Sequence, residues 1–232
     1  MRTTTPQFFS DRYLASPPLE NIVKVVQICM LPGQTEAGYS VMSSRLVGGL
    51  PASRFNLDQA IKLFFMAVDT QLNLQPTSQQ LGLIFLFDST GLSLSHLTRM
   101  NLSSVKKYLT YVQEAMPVRL KSIHVVNTNS LVSYLIEFIR PFIRKEYFKY
   151  IHFYTPDKIK NVQDFIQENI LPIDYGGTAD SMDILYRNTL NQIKSNEEWF
   201  KFDETQRIKA EGNTKMEPEK TLTDNFRTLD LD

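Results

Sequence analysis

Cysteine occurs once in the 232 residues, at Cys29, so the chain can form neither an intrachain disulfide nor a cysteine-rich metal cluster. A lone thiol suits a reducing compartment. Net charge is absent as well. Twenty-five Lys and Arg balance 25 Asp and Glu, so no whole-chain field draws the protein to nucleic acid or to an anionic membrane. Such attraction has to come from a local patch. No apolar run reaches the roughly 20 residues that span a bilayer. The first residues, MRTTTPQFFSDRYLASPP, lack the apolar centre of a secretory signal. The expectation is a cytoplasmic protein.

The motifs of familiar chemistry are also missing. His96, His124 and His152 fall on separate elements with no HExxH spacing, which argues against zinc. No GxGxxG follows a strand and no Walker lysine motif is present. Asp88, Ser93, Ser95 and His96 invite a hydrolase reading, but a nucleophile elbow needs glycine on both sides of the strained serine. Here Gly91-Leu-Ser93-Leu-Ser95 has only the first, and no acid is placed to orient His96. A strand end leading into a helix cap explains these residues better. No catalytic residue, metal or cofactor is expected.

What the chain does have is an apolar stretch, Asn129 to Lys149 (NSLVSYLIEFIRPFIRKEYFK), around which the rest is organised. At helical spacing Leu131, Leu135, Phe138 and Phe142 form one stripe, and Val132, Ile136, Ile139 and Ile143 form a second. A helix apolar on two faces is either fully buried or rests one face on something other than its own core. Pro141 removes a helical hydrogen bond and disfavours helix at Arg140, which predicts a hinge. The flanking runs Ser122–Val126 and Tyr150–Tyr154 read as strands. Strand, helix, strand is the grammar of an α/β crossover, so the helix reads as a lid over a sheet.

Upstream, Ile22–Leu31 and Tyr39–Val47 read as strands separated by the Pro32-Gly33 turn, pairing as an antiparallel hairpin. Asn56 caps a helix to Leu72. Leu81–Phe87 is a strand apolar throughout, as one covered on both faces should be. Asp88 and Gly91 lie beyond its carboxyl end, where ligands often sit in open α/β sheets. Leu102–Met116 is amphipathic, Arg119–Asn127 is the next strand, and a last helix runs from Ser181 to Phe200. Asp203–Thr223 is uniformly polar and predicted to be mobile, with Phe226, Leu229 and Leu231 able to dock the end again. Arg119 and Lys121 flank Leu120 and in regular alternation share one face. With Arg140, Arg144 and Lys145 near the hinge, they form the basic cluster that could meet anionic lipid headgroups.

Four stretches in order, FDSTGLSLSH (87–96), MPVRLKSIHVVN (116–127), RPFIRKEYFKYIHFY (140–154) and LPIDYGG (171–177), resemble the CRAL-TRIO lipid-binding family. The spacing is similar to its branch of tocopherol and retinaldehyde carriers, many of them insect proteins. The resemblance runs from about Ile22 to Phe200. RTTTPQFFSDR is similar to the tail of the family's amino-terminal helical domain, so residues 1–20 read as a remnant of that domain, 21–200 as the lipid-binding domain and 201–232 as a polar tail. It implies an α/β sandwich with a central mixed sheet, an apolar cavity and a mobile gate helix over residues 130–140. It also implies a non-catalytic monomer that carries one small hydrophobic lipid, tocopherol-, retinoid- or carotenoid-like, between membranes.

Position by position, the resemblance puts the gate on Val132, Leu135, Ile136, Phe138, Ile139 and Ile143. It puts the strand wall on Leu83, Phe87, Leu120 and Ile123, and the helix walls on Phe65, Met66, Asp69, Tyr108, Val112 and Met116. Phe65 and Asp69 stand where the tocopherol carrier has pocket serines. A phosphoinositide-contacting cleft would use Arg119 and Lys121, while its other two positions fall on Glu146 and Tyr150. The alternative function is a regulatory interaction module with a vestigial or phosphoinositide-sensing pocket.

Overall fold

The apolar and β-branched runs form five strands: β1 (Val26–Met30), β2 (Tyr39–Leu46), β3 (Gly82–Asp88), β4 (Leu120–Val126) and β5 (Ile151–Phe153). Eight α-helices accompany them among the described residues: α1 (Pro6–Phe9), α2 (Pro17–Ile22), α3 (Leu57–Leu74), α4 (Leu94–Leu97), α5 (Leu102–Glu114), α6 (Ser130–Ile139), α7 (Met182–Ser195) and α8 (Glu197–Met216). The computed structural model describes residues 1–74 and 81–216.

The strands lie side by side in chain order, β1 and β2 antiparallel and β2 to β5 parallel, which makes the sheet mixed. Each parallel pair needs a connection that crosses a face of the sheet, and α3, α5 and α6 are carried in those connections. All three face the side of the sheet that presents Val26, Ile28, Leu46, Leu83, Phe85 and Phe87, the front. On the back, Cys29, Val41, Ile84, Leu86 and Val126 form a second core with Val162, Ile166, Leu171 and Tyr175 and with Met182, Leu185 and Tyr186 of α7. Burial there pushes the Cys29 thiol up to about 12.

Two of the short stretches singled out in the sequence act as clasps between these elements. Asp88 Oδ1 accepts hydrogen bonds from the Thr90 amide (2.9 Å), the Thr90 hydroxyl (2.6 Å) and Asn127 Nδ2 (3.0 Å), tying the carboxyl ends of β3 and β4 together. In the LPIDYGG turn, Asp174 takes Arg45 of β2 at 2.7 Å and the Met182 amide at 2.8 Å, fixing the start of α7. Gly177 is required because a Cβ there would sit 1.9 Å from the Leu171 carbonyl oxygen.

The amino-terminal segment has little apolar residue of its own, and it is held by α3. Phe8 and Phe9 are fully buried, and Phe9 stacks on Phe65 with ring centroids 4.8 Å apart. Asp69 of α3 receives Arg2 at 2.7 Å and Arg12 at 2.8 Å. Arg12 also pairs with Asp203 and lies over the Phe200 ring at 4.6 Å. Two expectations for the far end change here. The single helix predicted from Ser181 to Phe200 breaks at Asn196, whose amide oxygen accepts from Asn73 of α3 at 2.6 Å. The segment predicted to be mobile from Asp203 is helical to Met216, because Asp203 and Arg207 hold the amino-terminal segment: Arg207 donates to the Phe9 carbonyl at 2.6 Å. The docking expected of Phe226, Leu229 and Leu231 lies outside the described residues.

On the back face, His124 is fully buried, with the Ser122 hydroxyl 2.8 Å from Nε2 and the Tyr154 hydroxyl 2.9 Å from Nδ1. Burial, and secondarily His152 stacked 4.9 Å away, pushes its imidazole down from 6.5 to about 4.

Two stability predictions follow from these clusters. Asp69→Ala leaves the Arg12 guanidinium, whose side chain is inaccessible, without its main buried partner; denaturant melts should show a loss of about 3–5 kcal/mol. A loss below 1 kcal/mol would mean the cluster does not anchor the segment. For His124, the folded state favours the neutral form. Its contribution is therefore complete above the unfolded value of 6.5 and is lost as pH falls toward 4, by at most about 3 kcal/mol. Between pH 7 and 4.5 the wild type should lose more stability than His124→Gln. Parallel losses would rule this out.

Candidate ligand cavity

Between the front face of the sheet and α3, α5 and α6 lies a cavity of about 300 Å³. A single water needs only about 10–15 Å³ of such space. The sheet contributes Val26 and Ile28 from β1, Ser44 and Leu46 from β2, Leu83, Phe85 and Phe87 from β3, and Leu120, Ile123 and Val125 from β4. On β4 the alternation is broken by a bulge: Leu83 pairs with Leu120 and Ile84 with Ser122, so Lys121 is the extra residue. The regular alternation predicted to put Arg119 and Lys121 on one face therefore does not hold. Arg119 is exposed, and the Lys121 ammonium lies over the Tyr39 ring at 4.8 Å.

From the helices come Leu57, Ala60, Ile61 and Phe64 of α3, spaced as one helical face, and Val105, Tyr108, Leu109 and Val112 of α5, with Met116 just beyond it. The α6 segment adds Leu135, Ile136, Ile139 and Ile143. Of the residues expected to contact ligand, the structure brings Leu83, Phe87, Leu120, Ile123, Tyr108, Val112, Met116, Leu135, Ile136, Ile139 and Ile143 together around this space. It does not bring Phe65, Met66, Asp69, Val132 or Phe138 to the wall. Phe65 and Asp69 lie one residue round the helix from the cavity face and meet Phe9, Arg2 and Arg12 instead. Met66 is fully buried in the surrounding core, Val132 is the buried residue of α6, and Phe138 is half-buried.

Sequence reasoning missed Phe64, Phe85, His96, Phe55 and Tyr150. For Phe64 the spacing of Leu57, Ala60, Ile61 and Phe64 was present but did not separate it from its equally buried neighbour Phe65. For Phe85 the alternation of Leu83 and Phe87 supplied a signal. For Phe55 and Tyr150, in irregular segments, there was none.

The α6 helix is capped by Asn129, whose Oδ1 accepts from the Leu131 amide at 2.9 Å. Only Val132 is buried in it, and Tyr134 is 60 % exposed. The chain after it is pinned to α5. Gln113 donates to the Phe142 carbonyl at 2.9 Å and accepts from the Arg144 amide at 2.9 Å, while Arg144 pairs with Glu114. A 3-10 turn, Arg140–Phe142, containing Pro141, separates the helix from that pin. Tyr134 and Phe138 are four residues apart on a face that does not line the cavity.

Few polar groups face the space. Arg45 is engaged by Gln27, Asp174 and Asp183, and Gln113 by the segment after α6. Burial raises the Tyr108 phenol above its ordinary range. His96 is 6 % exposed and packs edge-on against Phe55 at 5.5 Å. Its Nδ1 accepts from the Ser93 amide at 3.2 Å, with the Ser93 hydroxyl at 2.7 Å, which is helix capping at the start of α4.

The family comparison agrees with this architecture. The CRAL/TRIO domain model matches residues 24–177. The chain is similar to mouse (Mus musculus) alpha-tocopherol transfer protein-like, 25 % identical over 182 residues, covering 78 % of this chain and 52 % of that protein. It is similar to rat (Rattus norvegicus) clavesin-2, 23 % identical over 132 residues, covering 57 % of this chain and 40 % of that one. The chain thus spans about half the length of the curated relatives it matches first. The crystal structure of Sfh5 shares the fold, with a TM-score of 0.54 at 15 % identity, covering 80 % of this chain and 64 % of that one. With five strands in chain order, a hollow front face and a family match over most of its length, this chain belongs to the CRAL/TRIO domain family.

Proposed function

We propose that the protein binds one small hydrophobic lipid in the front-face cavity and carries it between membranes without a covalent step. One observation carries this reading: a space far larger than packing defects leave, walled mainly by aliphatic and aromatic carbon on all five strands and on the helices above them. Burying roughly 300–500 Å² of apolar ligand surface is favourable by about 8–12 kcal/mol before the costs of association. Relatives named for tocopherol transfer support the same class of cargo. The cavity wall of carbon suits a tocopherol-, retinoid- or carotenoid-like molecule.

An organic extract of the purified protein, analysed by mass spectrometry, should contain a hydrophobic compound near one mole per mole. Val112→Trp, which pushes an indole into the cavity, should lower that occupancy about tenfold with the melting temperature unchanged or raised. An empty extract together with no uptake of hydrophobic probes by delipidated protein would sink the reading.

Entry and release are proposed to occur by swinging α6 about the Pro141 turn, with the pin at Gln113 holding the chain beyond it. Tyr134 and Phe138 would then be the outer face that a bilayer satisfies. The double variant Tyr134→Asp, Phe138→Asp leaves the cavity wall intact and should slow vesicle-to-vesicle transfer several-fold while ligand occupancy stays the same. Transfer at the original rate by a folded, loaded variant would show that this face does not meet the membrane.

A further inference from the structure

We propose that His96 selects the cargo by donating a hydrogen bond from Nε2 to a neutral oxygen on it, a carbonyl, ether or hydroxyl. The preferred occupant is then an elongated apolar molecule whose oxygen lies beside Phe55, rather than a pure hydrocarbon. This rests on the reading of the cavity as a lipid site. The argument begins with the ring's other nitrogen. Nδ1 accepts the Ser93 backbone N–H at 3.2 Å, and an amide can only donate, so Nδ1 carries no proton. A neutral imidazole has one proton, which is therefore on Nε2. Burial, helped by Arg99, lowers the imidazole below its ordinary range and so favours this neutral form.

That Nε2–H has no protein partner among the described residues, although the residue is 6 % exposed and lines the cavity. Once an occupant fills the cavity and excludes water, a donor left there without an acceptor is unfavourable, and an occupant that supplies one is preferred over an occupant that does not. A single uncharged N–H does not replace the hydration of a carboxylate, which points to a neutral oxygen. The Ser44 and Tyr108 hydroxyls also line the cavity without a protein partner among the described residues. They rotate and can donate or accept, so they discriminate less than a ring held by Ser93 on one side and by Phe55 on its flank.

Two fluorescent probes of similar size test this on delipidated protein. Prodan is an aromatic ketone whose emission shifts when its carbonyl accepts a hydrogen bond, and diphenylhexatriene is a hydrocarbon. Relative to wild type, His96→Phe should bind prodan about five- to tenfold more weakly, with its emission shifted to the blue, and should bind diphenylhexatriene at least as tightly. His96→Gln keeps an N–H and should recover part of the prodan affinity. Retained hydrocarbon binding shows in each case that the cavity is folded. An equal loss of both probes in His96→Phe, an unchanged preference for prodan, or a wild type that takes diphenylhexatriene and not prodan overturns the inference about His96 alone. If wild type binds neither probe, the lipid-site reading itself fails and this inference falls with it.

Discussion

Strand order is the constraint on which the rest of the structure depends. The five strands follow one another across the sheet, and the helices of all three parallel crossovers lie on its front. Three helices over one face are held there by chain connections at both ends, and they do not need to close onto the sheet to keep their places. The antiparallel β1–β2 pair adds Val26 and Ile28 to the same wall. A hollow can therefore persist in the middle of a well-connected fold.

The back of the sheet is built on the opposite plan. Its apolar residues are close-packed with α7 and with the segment around Val162, Ile166 and Tyr175. Its polar groups are spent on clasps: Asp174 on Arg45 and on the start of α7, and His124 between Ser122 and Tyr154. Rigidity on this side leaves the other side free to be empty. The division also separates roles within one strand, since on β4 Ile123 faces the cavity while its neighbours Ser122 and His124 are buried behind.

Much of this was legible in the sequence. Strand runs such as LGLIFLF and SIHVV, and the apolar stretch beginning at Asn129, have periods that leave little choice of element. The order strand, helix, strand implies parallel pairing. Which residues of a helix face the cavity was less legible. In α3 every residue from Ile61 to Thr70 is buried, so periodicity cannot say whether Phe64 or Phe65 points inward, and Asp69 looks anomalous until Arg2 and Arg12 are seen against it. Partners 67 and 57 residues away leave no local signature. The bulge at Lys121 was invisible for a related reason, because it arises from pairing with β3 and not from β4 itself. Helix α8 was hidden by its polar composition. Its reason to exist is a partner segment nearly the length of the chain away.

That distance bears on how the protein is made. Arg12 and Asp203 are separated by 191 positions. At about 5–20 residues per second, a ribosome adds the second roughly 10–40 s after the first. Asp69 is available early, but the buried guanidinium acquires its second carboxylate, and its place over Phe200, only when α8 emerges. During that interval the apolar surfaces of Phe8 and Phe9 have no finished seat. The segment that carries Phe8, Phe9 and Arg12 is thus among the last parts to settle.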